Sequence, residues 1–162
     1  GWRDAFGPLT GNHPKADQRP NLCVLPASAW APRNQTMNHT YVLQLLINKD
    51  IPVTEAYDGS PQEAMQSVAF SVVSISEVED VAECLEAGCI PLLHDVPAMP
   101  AAFRTSPIPK FGSPEDLPML LRSLKAGPLN ALQAQVWGWW LRSKAQYQEQ
   151  FAKAVSLWGP VA

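Results

Sequence analysis

Two places in this sequence set side chains with chemical capacity directly after an apolar run. The first is Ser74-Ile75-Ser76-Glu77, the turn at the end of the run from Val68 to Ile75; the second is His94-Asp95, which follows Ile90 to Leu93. At the first, the free N–H groups and dipole of an opening helix favour an anion such as a diphosphate. The same serines also serve as ordinary helix caps, and no glycine is present to shape a phosphate cradle. Glu83 lies seven residues past Ser76, near the side of the helix that faces its opening, where a carboxylate can accept hydrogen bonds from sugar hydroxyls. A lone helical glutamate is more often solvated surface. His94 offers an imidazole, a side chain that suits a general base, but the sequence assigns it neither a nucleophile nor a carboxylate partner. GxSxG, HExxH and P-loop patterns are absent. Cys23, Cys84 and Cys89 have no CxxC spacing and no clustered histidines, so they read as buried thiols rather than zinc ligands.

The elements that must position these groups alternate in type. Asn21 to Leu25 is a continuous apolar run between Pro20 and Pro26, which suits a strand covered on both faces. Thr40 to Asn48 has helical spacing at Tyr41, Val42, Leu45 and Leu46, and Ile51 to Thr54 reads as a second strand. Ser60-Pro61-Gln62-Glu63 is a serine-capped helix start with proline at the first helical position, and that helix ends near Ser67. Val68 to Ile75 is the third strand. Ser76-Glu77-Val78-Glu79 then repeats the capping pattern; Val78, Val81, Ala82 and Leu85 stripe the helix, and Gly88 stops it. Ile90 to Leu93 is the fourth strand.

After a proline-rich loop from Pro97 to Pro109, Ser113 caps a helix bearing Leu117, Leu120, Leu121 and Leu124, which Gly127-Pro128 breaks. Leu129 to about Leu157 is a long terminal helix. Its stripe of Leu132, Val136, Trp140, Tyr147, Phe151 and Val155 reads as docking surface.

This order predicts an α/β class: a Rossmann-like, mostly parallel sheet with flanking helices. Residues 1–20 form an irregular lead-in and residues 21–162 a single lobe. Ligands of such sheets bind at the carboxyl ends of the strands, which places the expected site at Ala27 to Arg33, Glu55 to Ser60, Ser74 to Asp80, and His94 onward.

With 162 residues the chain has enough length for one core that buries roughly 70% of its unfolded surface. Only 17% of residues are charged and the net charge is −3, so nucleic acid is a poor partner. No apolar run reaches the ~20 residues that span a bilayer. A start at Gly1-Trp2-Arg3 suggests a fragment or a processed chain, and sequons at Asn34 and Asn38 mildly favour a secretory lumen.

The stretch Ala-Phe-Ser-Val-Val-Ser (69–74), followed by Ala-Glu-Cys-Leu-Glu-Ala-Gly-Cys-Ile-Pro-Leu-Leu (82–93), resembles the donor-binding half of GT-B glycosyltransferases. It is most similar to the exostosin-like group, which carries a Glu-Ala-Leu-x-Ala-Gly-Cys-Ile-Pro-Val run. With the continuation through His94-Asp95-Val96, Asp116-Leu117-Pro118 and a tryptophan-bearing terminal helix, it looks most like the ribitol xylosyltransferase branch. The likeness spans about Asn21 to Val155, and Ala69 to Val96 carries the motif.

The resemblance implies the C-terminal, nucleotide-sugar-binding lobe of an inverting enzyme that uses a UDP-sugar as substrate and needs no metal or cofactor. Its acceptor would be a glycan or glycoprotein, held by an N-terminal lobe that would also supply the catalytic base. It implies a Golgi lumen and a membrane-anchored parent. Glu83 matches the glutamate that contacts the donor's nucleoside, and Ser76 lies beside the diphosphate. Trp30, Arg33 and Tyr57 border the donor by position in the chain. Asp80 stands where relatives often have an arginine suited to phosphate, which keeps an alternative open: a diverged, non-catalytic module that binds a protein through its aromatic terminal helix.

Overall fold

The computed structural model describes residues 14–24, 39–54, 65–73, 78–97 and 99–157. In chain order the strands are β1 (Asn21–Val24), β2 (Val53–Thr54), β3 (Val68–Val73), β4 (Ile90–His94) and β5 (Lys110–Phe111). The helices are α1 (His39–Asn48), α2 (Val78–Glu86), α3 (Ala101–Arg104), α4 (Leu117–Ala126) and α5 (Leu129–Leu157). The five strands form one sheet in the order β2-β1-β3-β4-β5, and every pairing is parallel. The α/β class with a parallel sheet, flanking helices and a long terminal helix is therefore the fold of the chain.

A parallel sheet needs both faces covered, which explains the composition of its centre. All six residues of β3 are buried, as are Ile90 to Leu93 of β4. Phe70, Leu92 and Leu93 fill the middle with Leu46 and Val42 from α1, Leu85 from α2, Leu117 and Leu121 from α4, and Val136 and Trp140 from α5. The connection from β1 to β2 runs one way along the sheet, and those from β3 to β4 and β5 run the other way. Right-handed crossovers in opposite directions put α1 and α2 on opposite faces. In keeping with this, α1 packs with α4, joined by the Tyr41 hydroxyl to Glu115 and by Arg122 to the Lys49 carbonyl, whereas α2 meets α5.

Both α1 and α2 leave for the next strand through the same turn. In α2 the Cys89 N–H donates to Cys84 O (3.1 Å) and the Gly88 N–H to Leu85 O (3.0 Å), with Gly88 at φ 72°. In α1 the Ile51 N–H donates to Leu46 O (3.0 Å) and the Asp50 N–H to Ile47 O (3.0 Å), with Asp50 at φ 56°. This pair of 6→1 and 5→2 bonds is the Schellman arrangement; the wider bond joins Leu46 to Ile51 in one turn and Cys84 to Cys89 in the other.

Several details depart from the sequence reading. α3 lies inside the stretch expected to be loop, β5 follows directly on that stretch where no strand was expected, and β2 is two residues long. Only residues 65–67 of the helix expected from Ser60 are described, and they are helical. Ser113 opens a 3-10 turn, Pro114–Asp116, and the Asp116 carboxylate accepts from the Ser113 N–H and hydroxyl (both 3.2 Å) before α4 begins. Residues 14–20 of the expected lead-in pack onto the lobe, with Ala16 and Arg19 buried.

Candidate functional site

Strand order reverses between β1 and β3, and such a switch point opens a crevice at the carboxyl ends of the two strands. Residues 25–38 follow β1 and residues 74–77 follow β3; both segments lie outside the described residues. Trp30, Arg33, Tyr57 and Ser76 are accordingly outside them, and so is the expected anion site ahead of α2. Glu83 is described: it is half-buried on α2, five residues past Val78 and so about 7.5 Å along the axis from the helix start. Asp80 precedes it by three residues, which sets the two on neighbouring positions of one helix face.

The carboxyl end of β4 is described in full. The His94 ring stacks on Phe111 with centroids 5.3 Å apart, and its Nε2 lies 3.1 Å from the Gly112 carbonyl oxygen. A carbonyl only accepts, so Nε2 carries a proton. Nδ1 is buried and has no hydrogen-bond partner. Asp95, next in the chain, turns away from this ring: its carboxylate takes Arg104 (3.2 Å), whose second nitrogen donates to Val96 O (3.0 Å). The Asp95 N–H donates to Phe111 O, extending the β4–β5 pairing (2.9 Å). His94 and Asp95 thus form no relay, and their geometry is that of a braced rim.

At the opposite, amino-terminal edge of the sheet lie the buried charges that sequence reasoning missed. Arg19 donates to four carbonyls: Pro14 (3.1 Å), Met65 (2.8 Å), Val68 (3.0 Å) and Ala87 (3.0 Å). Burial pulls its pKa below the usual value, with Cys89 and Cys84 opposing. Gln133 of α5 accepts from the Ala16 N–H and donates to Pro14 O and Gly88 O. Glu86, at the end of α2, is 8% exposed; its Oε1 accepts from Lys144 Nζ (2.7 Å) and Trp140 Nε1 (3.2 Å), and its Oε2 has no partner. No local pattern marks these residues, because their partners are main-chain atoms or side chains far away in sequence.

A cleft of about 250 Å³ sits at this edge, between α5 and the α2–β4 turn, lined by Lys15, Leu85, Ile90, Asn130, Val136 and Trp137 among others. It lies away from the carboxyl ends of the strands. Its Gln133 spends both amide groups on main-chain partners and the Asn130 oxygen accepts from the Asp17 N–H, so it is a packing seam rather than a reaction chamber. Cys23, Cys84 and Cys89 are buried thiols in no disulfide, and burial raises the Cys23 and Cys84 thiols above their usual range, which removes those two as nucleophiles in the folded lobe. Among the described residues no three metal-ligating side chains stand together, and no helix is long and apolar enough to cross a membrane. No family model, curated protein or solved structure matches the chain, so its fold is what assigns it: an all-parallel α/β lobe with a β1/β3 switch point.

Proposed function

We propose that the chain is the donor-binding lobe of an inverting GT-B glycosyltransferase that takes a nucleotide sugar. The observation that carries this reading is the β1/β3 order reversal together with the α2–Gly88–β4 unit, which holds a half-buried carboxylate, Glu83, on the helix that follows β3. In this reading the donor lies across the carboxyl edge. Its diphosphate faces the start of α2, where N–H groups without helical partners offset negative charge, and Glu83 accepts from hydroxyls of the nucleoside. Ser76, Trp30, Arg33 and Tyr57 line the remainder. The acceptor hydroxyl attacks the anomeric carbon from the face opposite the leaving diphosphate, and the base that takes its proton belongs to a second lobe.

Calorimetric titration of a panel of UDP-sugars onto the chain, alongside Glu83→Ala, tests this. Saturable binding in the high-micromolar to millimolar range is expected, weakened about tenfold by the substitution, equivalent to ~1.4 kcal/mol. No heat at millimolar donor, with native circular dichroism retained, would sink the reading.

A second reading, a protein-binding module using α5, has support in Tyr147 and Leu141, which are 62% and 42% exposed on that helix. The Trp140 part of the stripe is spent inside the lobe, against Glu86.

A further inference from the structure

The turn joining α2 to β4 brings two cysteines together. Cys84 and Cys89 are the end residues of its 6→1 hydrogen bond, and in the equivalent turn after α1 those positions hold the apolar pair Leu46 and Ile51. The Cys84 sulfur lies 3.6 Å from Cys89 O. Cys89 Sγ lies 3.7 Å from Ala69 O of β3. A 6→1 bond of this kind draws the two Cα atoms into the window of about 4.4–6.8 Å that a disulfide requires. Cys23 has no such route to either. It sits on β1, separated from β4 by β3, and two strand spacings of about 4.8 Å exceed that window.

We infer that Cys84 and Cys89 are a disulfide-forming pair, closed during folding by exchange with a small disulfide such as glutathione disulfide, and that Cys23 remains a thiol. One cysteine, as thiolate, attacks the small disulfide, forming a mixed disulfide and releasing one glutathione. The second cysteine then attacks the protein-bound sulfur, forming the Cys84–Cys89 bond and releasing the other glutathione. The protein loses two electrons and two protons; the small disulfide gains them as two thiols. Exchange belongs to the folding stage because in the finished lobe Cys84 is 0% and Cys89 2% exposed.

The experiment is refolding of the reduced, denatured chain in a glutathione redox buffer, then alkylation of remaining thiols in denaturant and digestion with a glutamate-specific protease. Cleavage after Glu83 and Glu86 puts the two cysteines on separate peptides. The expected result is a peptide Cys84-Leu85-Glu86 joined through sulfur to the one that begins at Ala87, with Cys23 alkylated. Cys23→Ala should give the same linked pair. Glutathione disulfide added to the already folded, reduced chain should give that link no faster than the lobe unfolds. Three alkylated cysteines after oxidative refolding, or a link that includes Cys23, would overturn the inference.

Discussion

The Glu86–Lys144 contact is the buried ion pair among the described residues, and its worth is set by an imbalance in burial. The Glu86 side chain is 7% exposed and that of Lys144 19%, with 2.7 Å between Oε1 and Nζ. At an effective dielectric constant of about 20, two unit charges at this distance attract by about 6 kcal/mol. Desolvation of the two ions takes back several kcal/mol each, so the intact pair comes close to breaking even against an apolar one. Removing one partner is another matter. In Lys144→Met the carboxylate stays buried with only the Trp140 N–H for company, and its Oε2 is already without a partner. We expect a loss of about 3 kcal/mol. In Glu86→Gln the amide oxygen still serves Trp140, and the better-exposed lysine extends to water, so the loss should be about 1 kcal/mol. The double variant Glu86→Leu, Lys144→Met should fall within about 1 kcal/mol of wild type after repacking. Urea denaturation followed by far-ultraviolet circular dichroism, with m unchanged across the set, measures all of these. Lys144→Met within 0.5 kcal/mol of wild type, a range typical of exposed pairs, would refute the reasoning.

The paired helix exits make opposite demands on their central residues. Asp50→Gly should stabilise the lobe by about 0.5–1 kcal/mol by relieving a left-handed non-glycine residue, and Gly88→Ala should destabilise it by about 1–2 kcal/mol for the converse reason; shifts of the same sign in the urea midpoint would contradict this. On the surface, the Tyr41 hydroxyl donates to Glu115 Oε1 at 2.6 Å, which holds the carboxyl below its usual range and the phenol above its own. The Glu115 contribution is present above its unfolded pKa of about 4.3 and is lost as pH falls through the lower folded value. The Tyr41 contribution is present below about pH 10 and is lost as pH rises through the raised folded value. Tyr41→Phe should move the Glu115 titration upward in side-chain carboxyl NMR; an unmoved titration would remove Tyr41 as the main cause.

How far the fold could be read depended on whether a residue's partners leave a trace in local pattern. β3 and β4 were legible because strands covered on both faces read as unbroken apolar runs. Gly88 announced the end of α2, whereas Asp50 gave no sign that it does the same for α1, since aspartate enters the left-handed region only occasionally. β5 was hidden by its two-residue length and by Lys110, whose ammonium is used locally on Ser106 O and Ile108 O. Of the candidate donor contacts, Glu83 could be given a helix and a depth. Arg19 was illegible in principle: it stands in a proline- and glycine-rich stretch and its four acceptors are carbonyls, which every residue has. Glu86 meets Trp140 and Lys144 across 54 and 58 positions, too far for any spacing rule.

The Arg19 and Gln133 contacts have a consequence for the order in which the chain can close. The four Arg19 acceptors come from residues 14, 65, 68 and 87, and Gln133 reaches back across 117 positions to Ala16. Apart from the local bond to Pro14, this stitching cannot form until β3, the end of α2 and the start of α5 are already in register, so it is a late, non-local step whose loop-closure entropy has been met by others. Once made, it works as a clasp: amide protons in the first turns of α5 and at the start of β3 should share one opening event, and loosening residues 14–20 should release both.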